Sequence, residues 1–137
     1  MTYLIKVPAA GTYRLQMRAS SPEPNDLYND LWMRVLGEGA YFEAVDPSPG
    51  DGETDYENMG NDWFKVYNNR SQWRWQASHV DEDAHEVFFV VENPGEFAIQ
   101  ISGRSTQFRV DRFVFYNEDT ITANQAEDLN NPESPRG

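Results

Sequence analysis

Aromatic rings and hydrogen-bonding side chains crowd into one short part of the chain, residues 63–75. Sugars present flat C–H faces to aromatic rings, and their adjacent hydroxyls pair with donors and acceptors on Asn, Arg and Gln side chains. The composition of this segment therefore predicts a sugar-binding platform. Its candidate members are Trp63, Tyr67, Asn69, Arg70 and Trp73.

Two tryptophans in the segment have a second interpretation. Trp73 and Trp75 are two residues apart, so in an extended strand they share one face and can belong to the core. Trp63 and Tyr67 flank a loop instead, and we expect both side chains to be exposed. For Trp73 the sequence leaves core and platform both open.

Carboxylates dominate a long connection, residues 43–62, which holds seven Asp and Glu and no Lys or Arg. Ca²⁺ takes about six to eight oxygen ligands, and crowded carboxylates repel one another unless a cation lies among them. We predict calcium at Asp55 in this connection and at Asp26 in the oxygen-rich stretch 25–30. The alternatives are a solvated acidic loop and a turn whose side chains bond to their own backbone.

Two histidines flank a short acidic run. Alternation would place His79, Asp81, Asp83 and His85 on one side of an extended strand, which is a pattern that can bind a metal. A solvated hairpin turn accounts for the same residues, and we favour the turn.

Enzyme chemistry finds little support in the sequence. There is no cysteine, and no nucleophile elbow, phosphate-binding loop or His-Glu-x-x-His motif occurs. With 23 acidic residues, pairs of carboxylates arise by coincidence. The net charge of −12 disfavours binding to nucleic acids and anionic membranes, and no apolar stretch approaches the ~18 residues that span a bilayer. We predict a protein that is not an enzyme.

Strands are the elements predicted to position these side chains. Between Tyr13 and Arg18, apolar and polar residues alternate, which indicates a half-buried strand. Many short strands with turns between them, such as the turn at residues 93–95, predict an all-β fold, an antiparallel β-sandwich. The other strand candidates are Tyr3–Val7, Leu31–Leu36, Tyr41–Ala44, Phe64–Tyr67, Trp73–Ala77, Glu86–Val91, Phe97–Ile101 and Phe108–Tyr116.

The two ends of the sequence differ from its middle. Residues 118–137 hold five acids, one Arg and two prolines, and they have almost no large apolar side chain. We predict a folded unit at residues 1–117 and an acidic flexible tail or linker at 118–137. Since the first strand follows Met1 almost at once, we expect a piece of a longer secreted or cell-surface protein, rather than a complete intracellular one.

Several segments, in this order, resemble the jelly-roll, galactose-binding-like carbohydrate-binding modules attached to secreted bacterial polysaccharide-degrading enzymes. The resemblance covers roughly residues 3–117. The segments that carry it are Val7–Leu15, Asn29–Trp32, Trp63–Tyr67, Trp73–Trp75, Pro94–Phe97, Ile101–Ser105 and Val110–Tyr116.

The resemblance carries its own expectations. It implies a jelly roll in which the N-terminal edge strand is missing, and it likens Asp111 to a calcium ligand on the last strand. It also places Asn29 and Asp30 beside the aromatic platform, although Tyr28 stands where comparable modules often have His.

The function predicted from these features is non-catalytic binding of a polysaccharide or oligosaccharide, which targets an attached catalytic domain to its substrate. The negative charge favours a neutral or sparsely charged glycan, unless calcium bridges an anionic one. One alternative is an adhesion or assembly domain that binds protein through exposed aromatics and an open sheet edge. The other is a polysaccharide lyase or hydrolase on a small β scaffold.

Overall fold

The computed structural model describes residues 1–23, 28–48, 55–69, 71–81 and 83–134. It is nearly all β, with one helical turn in the described part of the chain, which confirms the predicted fold class. The elements are β1 (Thr2–Val7), β2 (Gly11–Ser20), β3 (Asp30–Leu36), β4 (Ala40–Val45), β5 (Phe64–Tyr67), β6 (Arg74–Trp75), β7 (Ser78–His79), β8 (His85–Val91), β9 (Gly95–Gly103), β10 (Arg109–Tyr116) and α1 (Ala123–Ala126).

All strand pairs in the described residues are antiparallel, and they form one curled sheet of sandwich or jelly-roll type. One group of neighbours runs β1-β9-β3-β5, and the other runs β10-β2-β8-β4. The short strand β7 pairs with both β5 and β8 and so joins the groups. The turn at residues 93–95 links β8 to β9, and these strands belong to opposite groups.

Both groups contribute alternate side chains to one core, as strand periodicity predicts. On β2, Leu15 and Met17 are fully buried. Phe42 is the centre of an aromatic cluster, with ring centroids 5.0 Å from Phe64 and 4.9 Å from Phe89. The tilted contact between Phe42 and Phe64 joins strands from the two groups and stabilises the packing of one against the other.

The predicted strand Trp73–Ala77 is wrong as a single element. The structure has β6 and β7 there, separated by two residues. The strand breaks because the chain changes neighbours there: β6 pairs with β2, whereas β7 pairs with β5 and β8. The buried Asn68 lies beside this change, and its amide donates hydrogen bonds to the carbonyl oxygens of Arg74 at 2.8 Å and Met17 at 3.3 Å.

Residues 118–134 of the expected tail contain the turn α1. Thr122 begins it with a capping box, in which its hydroxyl and the side chain of Gln125 each bond to the other's backbone. Ala126 is buried, and the carbonyl oxygen of Asn131 accepts a 3.5 Å hydrogen bond from Arg112 on β10. This segment therefore contacts the sheet. No helix among the described residues is long and apolar enough to cross a membrane.

Candidate functional site

A continuous row of contacts crosses the outward face of three neighbouring strands and ends at Trp63, the residue before β5. The Nε of Arg34 on β3 donates to the Oε1 of Gln100 on β9 at 2.8 Å. The Gln100 amide in turn donates to the hydroxyl of Thr2 on β1 at 3.3 Å. On the other side, the Arg34 guanidinium lies 4.4 Å from the centre of the Trp63 ring. We call these four residues the outer row.

The register of the sheet produces the outer row. Thr2 pairs with Gln100, and Gln100 pairs with Arg34. Met33 pairs with Phe64 in an antiparallel register. The residue after Met33 therefore lies beside the residue before Phe64, which places Arg34 next to Trp63. Because side chains of directly paired residues share a face, these groups must lie side by side on the surface opposite the core.

A second set of side chains lies next to the outer row on the same face. Trp32 of β3 pairs with Ser102 on one side and with Lys65 on the other. The guanidinium of Arg104 lies 5.5 Å from the centre of the Trp32 ring. Trp32 is 36% exposed and Trp63 39%, so each ring keeps solvent-facing area despite its arginine.

An open groove of about 530 Å³ runs beside Trp63. Polar and small residues of β1 and β9 line it, and its apolar wall is formed by Met1, Ile101 and the indole. One flat ring and several hydroxyl, amide and backbone groups therefore face the same space. Its lining residues are Met1, Thr2, Trp63, Gln100, Ile101, Ser102 and Gly103.

The predicted exposure is right for Trp63 and wrong for Tyr67. Tyr67 is only 4% exposed, because β7 pairs with it at Ser78 and covers it. Its hydroxyl donates to the carbonyl oxygen of Val80 at 2.9 Å. Burial, followed by the nearby charges of Asp81 and Asp83, raises the pKa of Tyr67 to about 12. The phenol is therefore buried and cannot form an exposed platform.

Asn29 and Asp30 are also buried, at 2% and 1% exposure. The carboxylate of Asp30 accepts hydrogen bonds from Arg104 at 2.6 Å and from the Ser105 hydroxyl at 2.5 Å. The Nζ of Lys65 lies 3.9 Å away. The hydrogen bond between Arg104 and Asp30, together with the negative charge of Asp30, raises the pKa of Arg104. Asp30 thus holds the arginine that lies over Trp32, and it takes no surface position of its own.

Two further platform candidates, Asn69 and Trp73, make other contacts than those of the outer row. Asn69 is exposed, and its backbone N–H donates to the Gln76 side chain at 3.3 Å. Trp73 is 38% exposed, so it is not a core residue, and the Arg18 guanidinium lies 5.1 Å from its ring centre. Arg70 lies outside the described residues.

Two of the three predicted calcium ligands, Asp111 and Asp55, lie within the described residues. Asp111 on β10 forms an ion pair with Arg18 at 2.7 Å. Asp55 accepts a 2.8 Å hydrogen bond from the backbone N–H of Asp46. It also lines an acidic groove of about 350 Å³ with Glu43, whose pKa is raised by burial and then by nearby carboxylates. Asp26 lies outside the described residues.

A different group of side chains can hold a metal ion. Asp46, Asp83 and His85 each offer a ligand atom, and these atoms lie within 4.8 Å of one another. The predicted turn is present between β7 and β8, but His85 is fully buried, so the turn is not solvated throughout. The alternation of residues 79–85 indicated two members of this group. Asp46 could not be assigned to it, because only the pairing of β4 with β8 brings it there.

Sequence reasoning missed most of the outer row. Arg34, Gln100 and Thr2 are ordinary polar residues on the outward side of alternating strands. The available signal was the alternation of β3 itself, which places Trp32 and Arg34 on the face away from Met33. Their alignment with Gln100 needs the strand register, which the sequence does not show. Comparison with protein-family models, with curated proteins and with solved structures finds no match for this chain.

Proposed function

We propose that this chain is a non-catalytic carbohydrate-binding domain that binds a neutral or sparsely charged polysaccharide. The observation that carries the proposal is the exposed ring of Trp63 at the end of an unbroken row of polar contacts, beside an open groove. A flat indole and correctly spaced hydrogen-bonding groups are what a pyranose ring needs from a protein.

Binding would use the two halves of the site differently. Arg34 packs on the Trp63 ring and restricts its rotation, and the exposed remainder of the indole stacks on a sugar face. Gln100, Thr2 and Ser102 supply amide and hydroxyl groups to sugar hydroxyls in the groove. Because the outer row is already connected without ligand, little conformational entropy is lost on binding.

Charge and architecture define the rest of the proposal. At a net charge of −12, the domain repels heavily sulfated or uronate-rich glycans. The biological role we propose is to hold a catalytic domain of the same longer, secreted or cell-surface bacterial chain against its polysaccharide substrate. The jelly-roll resemblance and the exposed tryptophans support this role.

Calcium enters the proposal at Asp55. Its carboxylate and those of Glu43 and Glu57 surround the acidic groove, where a hard cation would relieve their mutual repulsion. Asp55→Ala should then reduce any rise in melting temperature that CaCl₂ produces beyond NaCl of equal ionic strength. Equal effects of the two salts would remove calcium from the proposal.

A glycan array probed with the purified chain, with and without EDTA, tests the function. The proposal predicts a restricted set of neutral glycans. Failure to bind any glycan, with concentration-dependent self-association, would favour the adhesion or assembly alternative. Cleavage of a polysaccharide by the purified chain would favour the enzyme.

A further inference from the structure

Three side chains with metal-ligating atoms converge where β4 ends and β8 begins. Asp46 directly follows β4, His85 is the first residue of β8, and Asp83 lies in the turn before it. The pairing of Val45 with Glu86 brings these chain segments together. Asp46 and His85 are buried and Asp83 is partly buried, so the cluster is set into the fold and does not lie on its surface.

Asp46 has a buried carboxylate oxygen that receives no hydrogen bond from the described residues. Its Oδ1 accepts a 2.7 Å hydrogen bond from the backbone N–H of Ser48, but Oδ2 has no hydrogen-bond partner among the described residues. The residue is only 7% exposed. A buried carboxylate oxygen without a donor costs free energy that a bound cation would recover.

We propose that Asp46, Asp83 and His85 form a site for a divalent transition-metal ion of the zinc class. Two carboxylates with one imidazole suit Zn²⁺ and similar ions, whereas Ca²⁺ selects a shell made wholly of oxygen. The His85 ring is oriented by a 2.8 Å contact between its Nδ1 and the carbonyl oxygen of Asp83. Such a second contact is typical of metal-binding histidines.

Binding requires a small closure of the cluster. Ligands about 2.0–2.1 Å from one zinc ion lie about 3.4 Å apart in a tetrahedral site, so separations of up to 4.8 Å must shrink. Rotation of the Asp83 side chain, the most exposed of the three, provides this movement. Three protein ligands leave the fourth position to water.

The bound ion would act as a clip between distant parts of the sequence. It would fasten the end of β4, where Asp46 also holds Asp55 through a backbone hydrogen bond, to the turn that leads into β8. A clip of this kind stabilises the fold by binding only the native state. The site is therefore independent of the outer row and of its proposed glycan.

Calorimetric titration of the EDTA-treated, dialysed full chain with ZnCl₂ tests the proposal. We expect one Zn²⁺ per chain, a melting temperature several degrees higher with zinc, and at least about tenfold weaker binding of Ca²⁺. Co²⁺ substitution should give visible absorption bands that change in a His85→Gln variant. Absence of one-to-one zinc binding, or equal affinity for Ca²⁺, would overturn the proposal.

Matched variants separate this cluster from general acidity. Asp46→Asn and Asp83→Asn should each weaken zinc binding at least about tenfold. Asp81→Asn removes the same charge from the same turn but outside the cluster, and it should leave zinc affinity unchanged. If the Asp46→Asn variant does not fold, the zinc affinity of the Asp83→Asn variant tests the assignment, because Asp83 is partly exposed. Equal zinc affinity in Asp83→Asn and Asp81→Asn would contradict the assignment.

Discussion

The guanidinium of Arg34 lies 4.4 Å from the centre of the Trp63 ring, while its Nε donates to Gln100 on the neighbouring strand β9. One side chain thus connects an aromatic surface to a hydrogen-bonding surface. This arrangement attaches the Trp63 side chain to the face of the sheet, although Trp63 precedes β5 and lies in no strand itself.

Removing that connection should weaken glycan binding without unfolding the domain. Arg34→Met keeps most of the aliphatic stem but loses the cation–π contact, worth about 0.5–1 kcal/mol, and the bond to Gln100. We expect a several-fold loss of glycan affinity. Arg18→Met, which removes the equivalent contact from Trp73, is the matched control. A larger loss of affinity in Arg18→Met would transfer the platform to Trp73.

Asp30→Asn should destabilise the fold by about 2–3 kcal/mol, because the buried carboxylate accepts charge-assisted hydrogen bonds. Urea unfolding measures this loss. Since Arg104 is held by Asp30 and lies over Trp32, glycan affinity should fall only to the extent that Trp32 contributes. A binding defect with unchanged stability would show that Asp30 contacts the ligand directly, as its sequence position suggested.

Alkaline pH should destabilise the domain through Tyr67. Its pKa is raised from 10.0 to about 12 by burial, so the fold favours the neutral phenol. The resulting stability is fully present below pH 10 and is lost as the pH rises towards about 12; it amounts to about 2–3 kcal/mol. Urea unfolding at several alkaline pH values should show a steeper decline in the parent chain than in Tyr67→Phe. Parallel declines would exclude Tyr67 as the cause.

The C-terminal segment should contribute to stability. Ala126 is buried, so Ala126→Asp places a carboxylate where solvent is excluded and should detach α1. We expect a loss of about 1–3 kcal/mol and a melting temperature several degrees lower. Ala123→Asp makes the same change at an exposed position of the same turn. If both variants melt with the parent chain, the segment behaves as the linker that its composition predicted.

Local patterns in the sequence were sufficient to predict most of the strands, but they did not predict the contacts between residues distant in sequence. The alternation around Leu15 and Met17 indicated β2, and the bounds of β5 were predicted as the structure has them. The exposure of Tyr67 was predicted wrongly because alternation places its side chain on the same outward face as that of Lys65. The later strand β7, which pairs with Tyr67 at Ser78, is what covers it. That pairing depends on residues distant in sequence, which no local periodicity reports.

The sites show the same limit. The aromatic content of residues 63–75 pointed to Trp63, but Arg34 and Gln100 join it only through the register of β3 with β5 and β9. Asp46 likewise meets His85 only through the pairing of β4 with β8. Register depends on the packing of the whole sandwich, so these groupings had no signature in the sequence.

Calorimetric titration with the glycan that the array identifies, applied to the parent chain and to Trp63→Ala, tests the central claim most directly. Loss of an exposed aromatic platform should weaken binding at least about tenfold and leave the melting temperature nearly unchanged. Trp63→Ala that binds as the parent chain does, or that loses stability with no specific loss of binding, would contradict the account.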